Sequence, residues 1–170
     1  MNYHYDIFLC ELGKFFVLDS LKGLHFCLQS SDSRVKKLKN KYQPQKGLVN
    51  KSIAKELDLY FKKKSKLKKI KISILEGTNL QKEVWRHLTK IAYGKTISYS
   101  DLALKTNKPK AVRAVASAIG KNPIAIVVPC HRVISKDGSL GGYAWGLKMK
   151  AKLLDIEGSG MADSTYRGGK

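Results

Sequence analysis

The chain has few cysteines, prolines and acidic residues, and these shortages exclude whole classes of protein. Its 170 residues include three Cys, four Pro and 13 Asp or Glu. The cysteines, at positions 10, 27 and 130, form no CxxC pair, which argues against a disulfide framework and for a reducing, intracellular compartment. No run of 18 apolar residues is present, and the start MNYHYDIFLC lacks a charged segment followed by a long apolar one. We therefore expect neither a transmembrane nor a secreted protein.

Basic residues outnumber acidic ones by 33 to 13, which gives a formal net charge of +20. Apolar residues make up 43% of the chain, enough for a packed core, so the charge does not imply disorder. Lys and Arg that neutralise phosphates release condensed counterions, so a polyanion is the first partner to consider. Composition alone does not distinguish between DNA, RNA and an acidic membrane as the partner. The alternative is that the lysines only coat the surface and serve solubility or heat tolerance.

The first part of the chain has the pattern of a small β-sheet. Apolar residues alternate before and after the run FFVL at 15–18, and Gly13 and Gly23 stand where turns belong. This predicts short strands in a meander within residues 1–30. Residues 31–51 turn polar and predict a loop that could include one short helical turn.

A helix and a further strand are predicted before residue 77. Ile53, Leu57 and Tyr60 recur at helical spacing, and the segment IKISIL at 70–75 is strand-like. Between them lies the lysine-rich run KKKSKLKK at 62–69, which we interpret as a solvated face.

Helical patterning replaces strand patterning near residues 77–79, where we place a domain boundary. Seventeen basic and seven acidic residues precede the boundary, and 16 basic and six acidic residues follow it. The net positive charge is therefore equal in the two halves and identifies neither as a basic arm. After it, Leu80, Val84, Leu88 and Ile91 share one face of a predicted helix, with Thr78 as its N-cap.

Two further short helices are predicted in succession. Ser98 and Asp101 have the spacing of a capping box and open a helix that runs to about Lys105. Pro109 is expected in the first turn of the next helix, KAVRAVASAIG, which ends at Gly120. Two helices joined by a tight turn suggest a helix-turn-helix, although an Ala-rich helix is more often a simple packing helix.

The segment PCHRV at 129–133 follows five apolar residues and contains a candidate nucleophile. A thiol becomes strongly nucleophilic only as thiolate, which a neighbouring base or positive charge favours. Adjacent residues on an extended strand point to opposite faces, so the chain must turn here if His131 is to assist Cys130. A buried, inert cysteine beside a surface histidine remains the alternative, and no other Cys or His lies nearby in sequence to complete a metal site.

PCHRV after KNP and an apolar stretch, followed by GGYAWG and LLDIEG, resembles the O6-alkylguanine-DNA alkyltransferases. The resemblance covers residues 79–158 and includes ISYSDLA and PKAVRAVASAIGKNP; the N-terminal part fits loosely, through GLH at 23–25. It implies an α+β fold with a ribonuclease-H-like scaffold domain, a sheet with a helix, at 1–77. A mainly helical domain at 78–158 would contain the helix-turn-helix and the active-site cysteine. Residues 159–170 are expected to be a flexible tail or an expression remnant.

The resemblance implies catalytic roles for the residues that match the family's motifs. Cys130 is the alkyl acceptor, His131 acts through a water to keep it as thiolate, and Glu157 orients His131. Asn122 matches a hinge asparagine that ties the recognition helix to the active-site loop. Tyr99 matches a tyrosine at the base and its phosphate, where the hydroxyl helps guanine to leave.

The same resemblance implies the contacts to DNA. Arg113 matches the family's arginine finger, which fills the gap left when the nucleotide is rotated out of the helix. The small residues Ala111 and Ala114 would allow their helix to lie in the minor groove.

The pocket for the base is implied by two further segments. Backbone carbonyls of Cys130 and Val133 would accept hydrogen bonds from the guanine amino group. Tyr143 and Ala144 match the pocket lid, the first as an apolar wall and the second through its backbone N–H. Family members often have Ser where this chain has Ala144, so no side-chain hydrogen bond is expected there.

The implied function is DNA repair by irreversible transfer of the alkyl group from O6-alkylguanine in double-stranded DNA to Cys130, with O4-alkylthymine as a further candidate substrate. A thioether is not hydrolysed under ordinary conditions, so each molecule would act once, as a monomer and without a cofactor. The expected location is the cytoplasm, or the nucleus in a eukaryote. Two alternatives are a non-enzymatic alkyltransferase-like protein that binds lesions, and a transcription regulator in which Cys130 only senses alkyl groups.

Some family members bind a structural zinc ion in the N-terminal domain. His25 could match one ligand, but Ser20 stands where the cysteine five residues earlier would be expected. We predict no metal.

Overall fold

The sheet of the first unit of the fold has three long strands and one short one. The computed structural model describes residues 1–48 and 50–159, and the long strands are β1 (His4–Cys10), β2 (Gly13–Ser20) and β3 (Gly23–Gln29). β2 pairs antiparallel with both neighbours, and the two-residue strand β4 (Gln45–Lys46) pairs in parallel with the start of β1. The order β3-β2-β1-β4 confirms the predicted meander.

Two helices belong to the same unit, and one of them was missed. α2 (Ser52–Phe61) has the predicted Ile53, Leu57 and Tyr60 fully buried. The polar segment predicted as a loop instead contains α1 (Arg34–Tyr42), a helix of nine residues. Only Val35 and Leu38 of α1 are buried, so its apolar face is too narrow to stand out among lysines in the sequence.

The strand predicted at 70–75 is reduced to a single bridge, between Leu24 and Ile72. The other bridge on β3 joins Cys27 to Ile124. The segments around Ile72 and Ile124 therefore both pair with the seven-residue strand β3, and neither of them forms a continuous ladder of hydrogen bonds with it. Close approach also explains Gly23, where a Cβ would lie 2.6 Å from the Lys71 carbonyl oxygen.

The second unit is mainly helical, as predicted. It contains α3 (Asn79–Leu88), β5 (Ile97–Ser98), α4 (Tyr99–Lys105), α5 (Val112–Gly120), β6 (Val133–Ile134) and α6 (Leu147–Ile156). No helix in the described ranges is long and apolar enough to span a membrane. A sheet in one unit and helices in the other confirm the α+β class.

Helix caps predicted from sequence are present, but two helix boundaries differ. Thr78 caps α3 in a capping box with Gln81, yet α3 ends at Leu88, so Ile91 is not part of it. α5 begins at Val112 because the chain first makes a turn in which the Ala111 N–H donates to the Lys108 carbonyl at 2.9 Å. Pro109 therefore precedes the helix, and the predicted first turn was wrong.

The chain divides after Glu76, close to the boundary placed at 77–79. One unit comprises Met1–Glu76 and Pro123–Val127; the other comprises Gly77–Asn122 and, within the described chain, residues 128–159. Four of the five apolar residues before PCHRV, at positions 124–127, thus belong to the sheet unit, which the sequence did not indicate. Of the tail predicted at 159–170, Ser159 bonds to the Leu154 carbonyl, and the rest lies outside the described residues.

The capping box of α3 offers a test of the fold. We expect Thr78→Ala to lower the free energy of unfolding by about 1 kcal/mol, because the Gln81 N–H loses its acceptor while an exposed methyl group adds little. Urea denaturation measures the change. Thr78→Ser keeps the hydroxyl and is the control, so equal losses in both variants would contradict the capping role.

Candidate active site

A short parallel β-pair brings two distant segments of the second unit together. Ile97 and Ser98 of β5 pair with Val133 and Ile134 of β6. Tyr99 follows β5 directly, and Cys130–Arg132 form a single 3₁₀ turn directly before β6. The chain therefore turns at Cys130, as predicted.

Tyr99 and Cys130 both line a cavity of about 340 Å³. Three other predicted residues line it as well: Asn122, Tyr143 and Ala144. The sequence did not single out the remaining lining residues, which are Ala116, Ile119, Gly120, Gly142 and Trp145. The rings of Tyr143 and Trp145 meet edge to face, with centroids 5.8 Å apart, and form one wall.

Cys130 is 6% exposed, and its surroundings act on the thiol in opposite directions. Burial raises its pKa, whereas hydrogen bonds from Asn122 and Tyr143 and the positive charge of Lys150 lower it. Burial is the largest of these effects, so the resting site favours the thiol over the thiolate. The proton must therefore leave during the reaction.

Asn122 connects the end of α5 to the residues before Cys130. Its backbone N–H donates to the Ile119 carbonyl at 3.1 Å, and its side-chain Nδ2 donates to the Val128 carbonyl at 2.7 Å. Since Asn122 is 3% exposed, both bonds are shielded from water. This geometry suits the hinge role implied by the resemblance.

His131 and Glu157 form a fully buried pair, with Nε2 and Oε1 2.8 Å apart. The pKa of Glu157 lies far below its usual range, because hydrogen bonds from His131 and Arg132 outweigh the effect of burial. An ionised carboxylate only accepts hydrogen bonds, so Nε2 of His131 carries the proton. Burial lowers the pKa of His131, which leaves Nδ1 of the neutral ring as an acceptor. Nδ1 is buried and has no hydrogen-bond partner within the described chain.

Arg132 holds the other side of Glu157, a role that the sequence analysis missed. Its Nε donates to Oε2 at 2.7 Å and its Nη2 to Oε1 at 2.9 Å. Nη1 donates to the Ile91 carbonyl at 2.5 Å. The signal available in the sequence was an arginine inside the mostly apolar segment 124–134, in a chain with only five arginines.

Val133 does not line the cavity, in contrast to the other residues predicted for the base pocket. Its carbonyl accepts a hydrogen bond from Lys150 at 2.5 Å, and the Cys130 carbonyl accepts one from the Val133 N–H. The contact predicted from these carbonyls to the guanine amino group would have to use their second lone pairs.

The predicted DNA contacts lie on the outer face of α5 and just before it. Arg113 and Ala114 are exposed and Ala111 is half-buried, while Val115 and Ala118 face the core. Arg113 makes no hydrogen bond or ion pair with the described residues. It is therefore available to an external partner.

His25, the candidate zinc ligand, has both ring nitrogens engaged. Nδ1 donates to the Ser73 carbonyl at 2.6 Å, and Nε2 accepts from the Ser20 hydroxyl at 2.7 Å. No group of three or more His, Cys, Asp or Glu side chains in residues 1–48 and 50–159 could hold a metal ion.

Known proteins share both the sequence and the fold. Residues 79–159 match the family described as 6-O-methylguanine DNA methyltransferase, DNA binding domain. The methylated-DNA–protein-cysteine methyltransferase of Methanosarcina barkeri is 39% identical over 159 residues, 91% of this chain and 96% of that protein. The inducible methylated-DNA–protein-cysteine methyltransferase of Bacillus subtilis is 41% identical over 162 residues, 91% of this chain and 89% of that protein.

Solved structures agree with this similarity. The crystal structure of Mycobacterium tuberculosis O6-methylguanine methyltransferase superposes with a TM-score of 0.81 at 31% identity and covers 95% of this chain and 96% of that chain. A structure of OGT from the same organism in complex with DNA has a TM-score of 0.79 at 31% identity, with 95% of each chain covered.

The buried carboxylate predicts an acid-sensitive fold. Because the pKa of Glu157 is depressed in the folded chain, its ionised form stabilises the fold above the ordinary glutamate pKa. That contribution is lost as the pH falls toward the folded-state pKa. We expect Glu157→Gln to cost about 3–5 kcal/mol of unfolding free energy at pH 7, and the gap to narrow toward pH 3.

Urea denaturation from pH 7 to pH 3 measures this gap. Glu83→Gln is the matched control, since the Glu83 carboxylate makes no hydrogen bond to the described residues. A constant gap between wild type and Glu157→Gln across this range would contradict the assignment.

Proposed function

This chain belongs to the family of methylated-DNA–protein-cysteine methyltransferases, and from that premise we propose how its own residues carry out the reaction. It is a DNA-binding repair protein that transfers the alkyl group of a damaged base to one of its own cysteines. One observation carries the proposal: Cys130 lines a cavity while the adjacent His131 is held by Glu157.

Cys130 is the proposed alkyl acceptor. Its sulfur attacks the carbon attached to guanine O6, so that a sulfur–carbon bond forms as the carbon–oxygen bond breaks and the electron pair passes to the base. The other two cysteines are poor candidates. Burial raises the pKa of Cys27 to about 12 and also raises the pKa of Cys10, and neither lines the cavity. The presence of Cys130 in the cavity also disfavours a lesion-binding protein without transfer.

His131 is the proposed base for the thiol proton. Its unprotonated Nδ1 can accept the proton through a bridging water, and Glu157 stabilises the imidazolium that results. Burial disfavours that charge in the resting protein, so we infer that His131 becomes charged only while the sulfur attacks.

Tyr99 is the proposed hydrogen-bond donor to the leaving base. Burial raises its pKa, so its hydroxyl remains protonated and able to donate. In the structure it donates to the Gly142 carbonyl at 3.2 Å, a long bond that a base in the cavity can replace. Its hydrogen bond stabilises the anion that develops on guanine. The base then takes a proton from solvent while His131 releases the proton it accepted, so the protons balance and no step requires a cofactor.

We propose that α5 enters the minor groove and that the damaged nucleotide rotates out into the cavity. The target carbon lies within a stacked duplex, where the sulfur could not reach it. Support comes from the outer face of α5, where the small Ala114 permits close approach and the exposed Arg113 can fill the vacated position. The protein acts as a monomer in this proposal, and O4-alkylthymine presents a similar alkoxy group to the sulfur.

Intact mass tests the acceptor. After incubation with a duplex containing one O6-methylguanine, we expect the protein to gain about 14 Da, one methyl group replacing a proton. Cys130→Ser should gain nothing and still bind the duplex, whereas Cys27→Ser should react like the wild type. A methylated Cys130→Ser protein would refute the assignment.

The arginine finger is tested by comparing two substrates. We expect Arg113→Ala to slow repair of duplex DNA by about tenfold or more, because extrusion of a nucleotide costs a few kcal/mol. Reaction with a free O6-alkylguanine base should be unchanged. Lys110→Ala also removes one positive charge beside α5 and is the control. Equal losses on duplex and free base would argue against a flipping role.

A further inference from the structure

Residues 62–69, called the basic loop below, follow α2 and include lysines that the proposed mechanism does not use. All of these lysines are exposed: Lys62, Lys63, Lys64, Lys66, Lys68 and Lys69. No Asp or Glu occurs in the sequence between Asp58 and Glu76, so acidic neighbours along the chain do not balance the charge. The basic loop therefore concentrates positive charge at one place on the sheet unit.

The residues between the lysines hold the basic loop in place. The Ser65 hydroxyl donates to the buried carboxylate of Glu56 on α2 at 2.6 Å and accepts from the Leu67 N–H at 3.0 Å. Leu67 and Ile70, the residue just after the loop, are both buried. Because inward residues alternate with lysines, the positive charges project from a backbone that is already fixed, which lowers the entropy cost of binding a partner.

Four lysines of the basic loop have unpaired side chains. Lys62 forms an ion pair with Asp58 at 2.7 Å. By contrast, no hydrogen bond, ion pair or aromatic contact to residues 1–48 or 50–159 involves the side chains of Lys63, Lys64, Lys68 and Lys69. An external anion can bind these four ammonium groups without breaking an internal ion pair.

One of the four lysines stands where glycine would be less strained. At the end of α2 the Lys63 N–H donates to the Tyr60 carbonyl at 2.9 Å, and the Lys64 N–H donates to the Leu59 carbonyl at 2.7 Å. This pair of bonds is a Schellman motif, and it holds Lys63 in the left-handed region at φ 58°. A positive charge is therefore present here at a cost in backbone strain. Such a cost is typical of functional positions, and a lysine that served only solubility would not require it.

The chemistry of the basic loop favours a phosphate backbone over a membrane. It contains no aromatic residue that could stack on a base, so its contacts would be independent of sequence. A segment that lies on a membrane needs exposed apolar residues that enter the lipid, whereas Leu67 and Ile70 are buried. Lysine binds phosphate as a point charge, which suits a uniform backbone. Duplex DNA is the partner that fits both this surface and the family.

We propose that the basic loop is a second DNA-contact surface, in which Lys63, Lys64, Lys68 and Lys69 neutralise phosphates of double-stranded DNA independently of sequence. These contacts add to those of α5 and strengthen binding to undamaged duplex, where the protein has to search for rare lesions. The proposal rests on the proposed function only in taking DNA as the partner, since no residue of the cavity takes part. Phosphate contacts release counterions, so salt dependence reveals them.

The first experiment measures the affinity for a long undamaged duplex at several salt concentrations. The test variant combines four substitutions: Lys63→Gln, Lys64→Gln, Lys68→Gln and Lys69→Gln. Each phosphate contact that is lost makes the slope of log K against log salt shallower by about 0.9, so we expect a change of about 2–4 in total.

A matched control removes the same charge from exposed lysines of the same unit that lie outside the basic loop. It combines Lys36→Gln, Lys37→Gln, Lys46→Gln and Lys51→Gln. We expect its slope to change by less than about 1, because these lysines act only through net charge. A wild-type slope in the test variant, or equal changes in both variants, would overturn the proposal.

The second experiment separates binding from folding. Glycine adopts the left-handed conformation readily, so we expect Lys63→Gly to keep or raise the urea midpoint while its salt slope becomes shallower by about 0.9. Lys63→Arg retains the charge and should retain the slope. A stable Lys63→Gly protein with the wild-type slope would overturn the proposal, because the strained lysine would then contact no phosphate.

Sedimentation with vesicles of anionic phospholipid tests the membrane as the partner instead. We expect the test variant and the matched control to bind vesicles equally. Loss of vesicle binding in the test variant alone, with duplex binding unchanged, would overturn the proposal in favour of a membrane. None of these experiments uses an alkylated base. Failure of methyl transfer in the mass experiment would therefore contradict the proposed function and leave the basic loop as a DNA-contact surface.

Discussion

The buried carboxylate of Glu157 is the group on which the arrangement of the site depends. It stands at the C-terminal end of α6, where the helix dipole disfavours a negative charge, so it requires strong compensation. Arg132 and His131 supply it from the turn that carries Cys130. Because Arg132 also bonds to the Ile91 carbonyl, one carboxylate joins α6, the cysteine turn and the segment after α3.

This constraint explains why Cys130 can be buried and still be available for chemistry. Burial by itself makes a thiol inert, and in Cys27 it does. Near Cys130, Glu157 holds the neutral imidazole of His131, whose Nδ1 has no hydrogen-bond partner among the described residues. The ammonium group of Lys150 donates to the carbonyls of Val133 and Gly142. The imidazole that can take the proton lies on the same turn as the thiol, and a carboxylate at the end of α6 holds it in place.

Local sequence signals predicted the elements whose stability is local. Thr78 and Ser98 cap α3 and α4 as expected, because a cap needs only a side-chain acceptor three residues before a free N–H. The predictions were wrong for elements whose formation depends on contacts with distant parts of the chain. α1 forms with only Val35 and Leu38 buried, and the segment at 70–75 lacks a ladder because Pro123–Val127 also uses the edge of β3.

The sequence by itself determined the candidate nucleophile, its histidine and the family, because PCHRV and its neighbouring motifs are contiguous in the chain. It also indicated Glu157, Asn122, Tyr99 and Arg113, although only through that resemblance. Tertiary structure alone decided which groups set the charge of the site. Arg132 and Lys150 look like ordinary basic residues among 33, and only folding removes them from water and aims them at a carboxylate and at three carbonyls. Burial and distance, which set electrostatic strength, are properties of the folded chain.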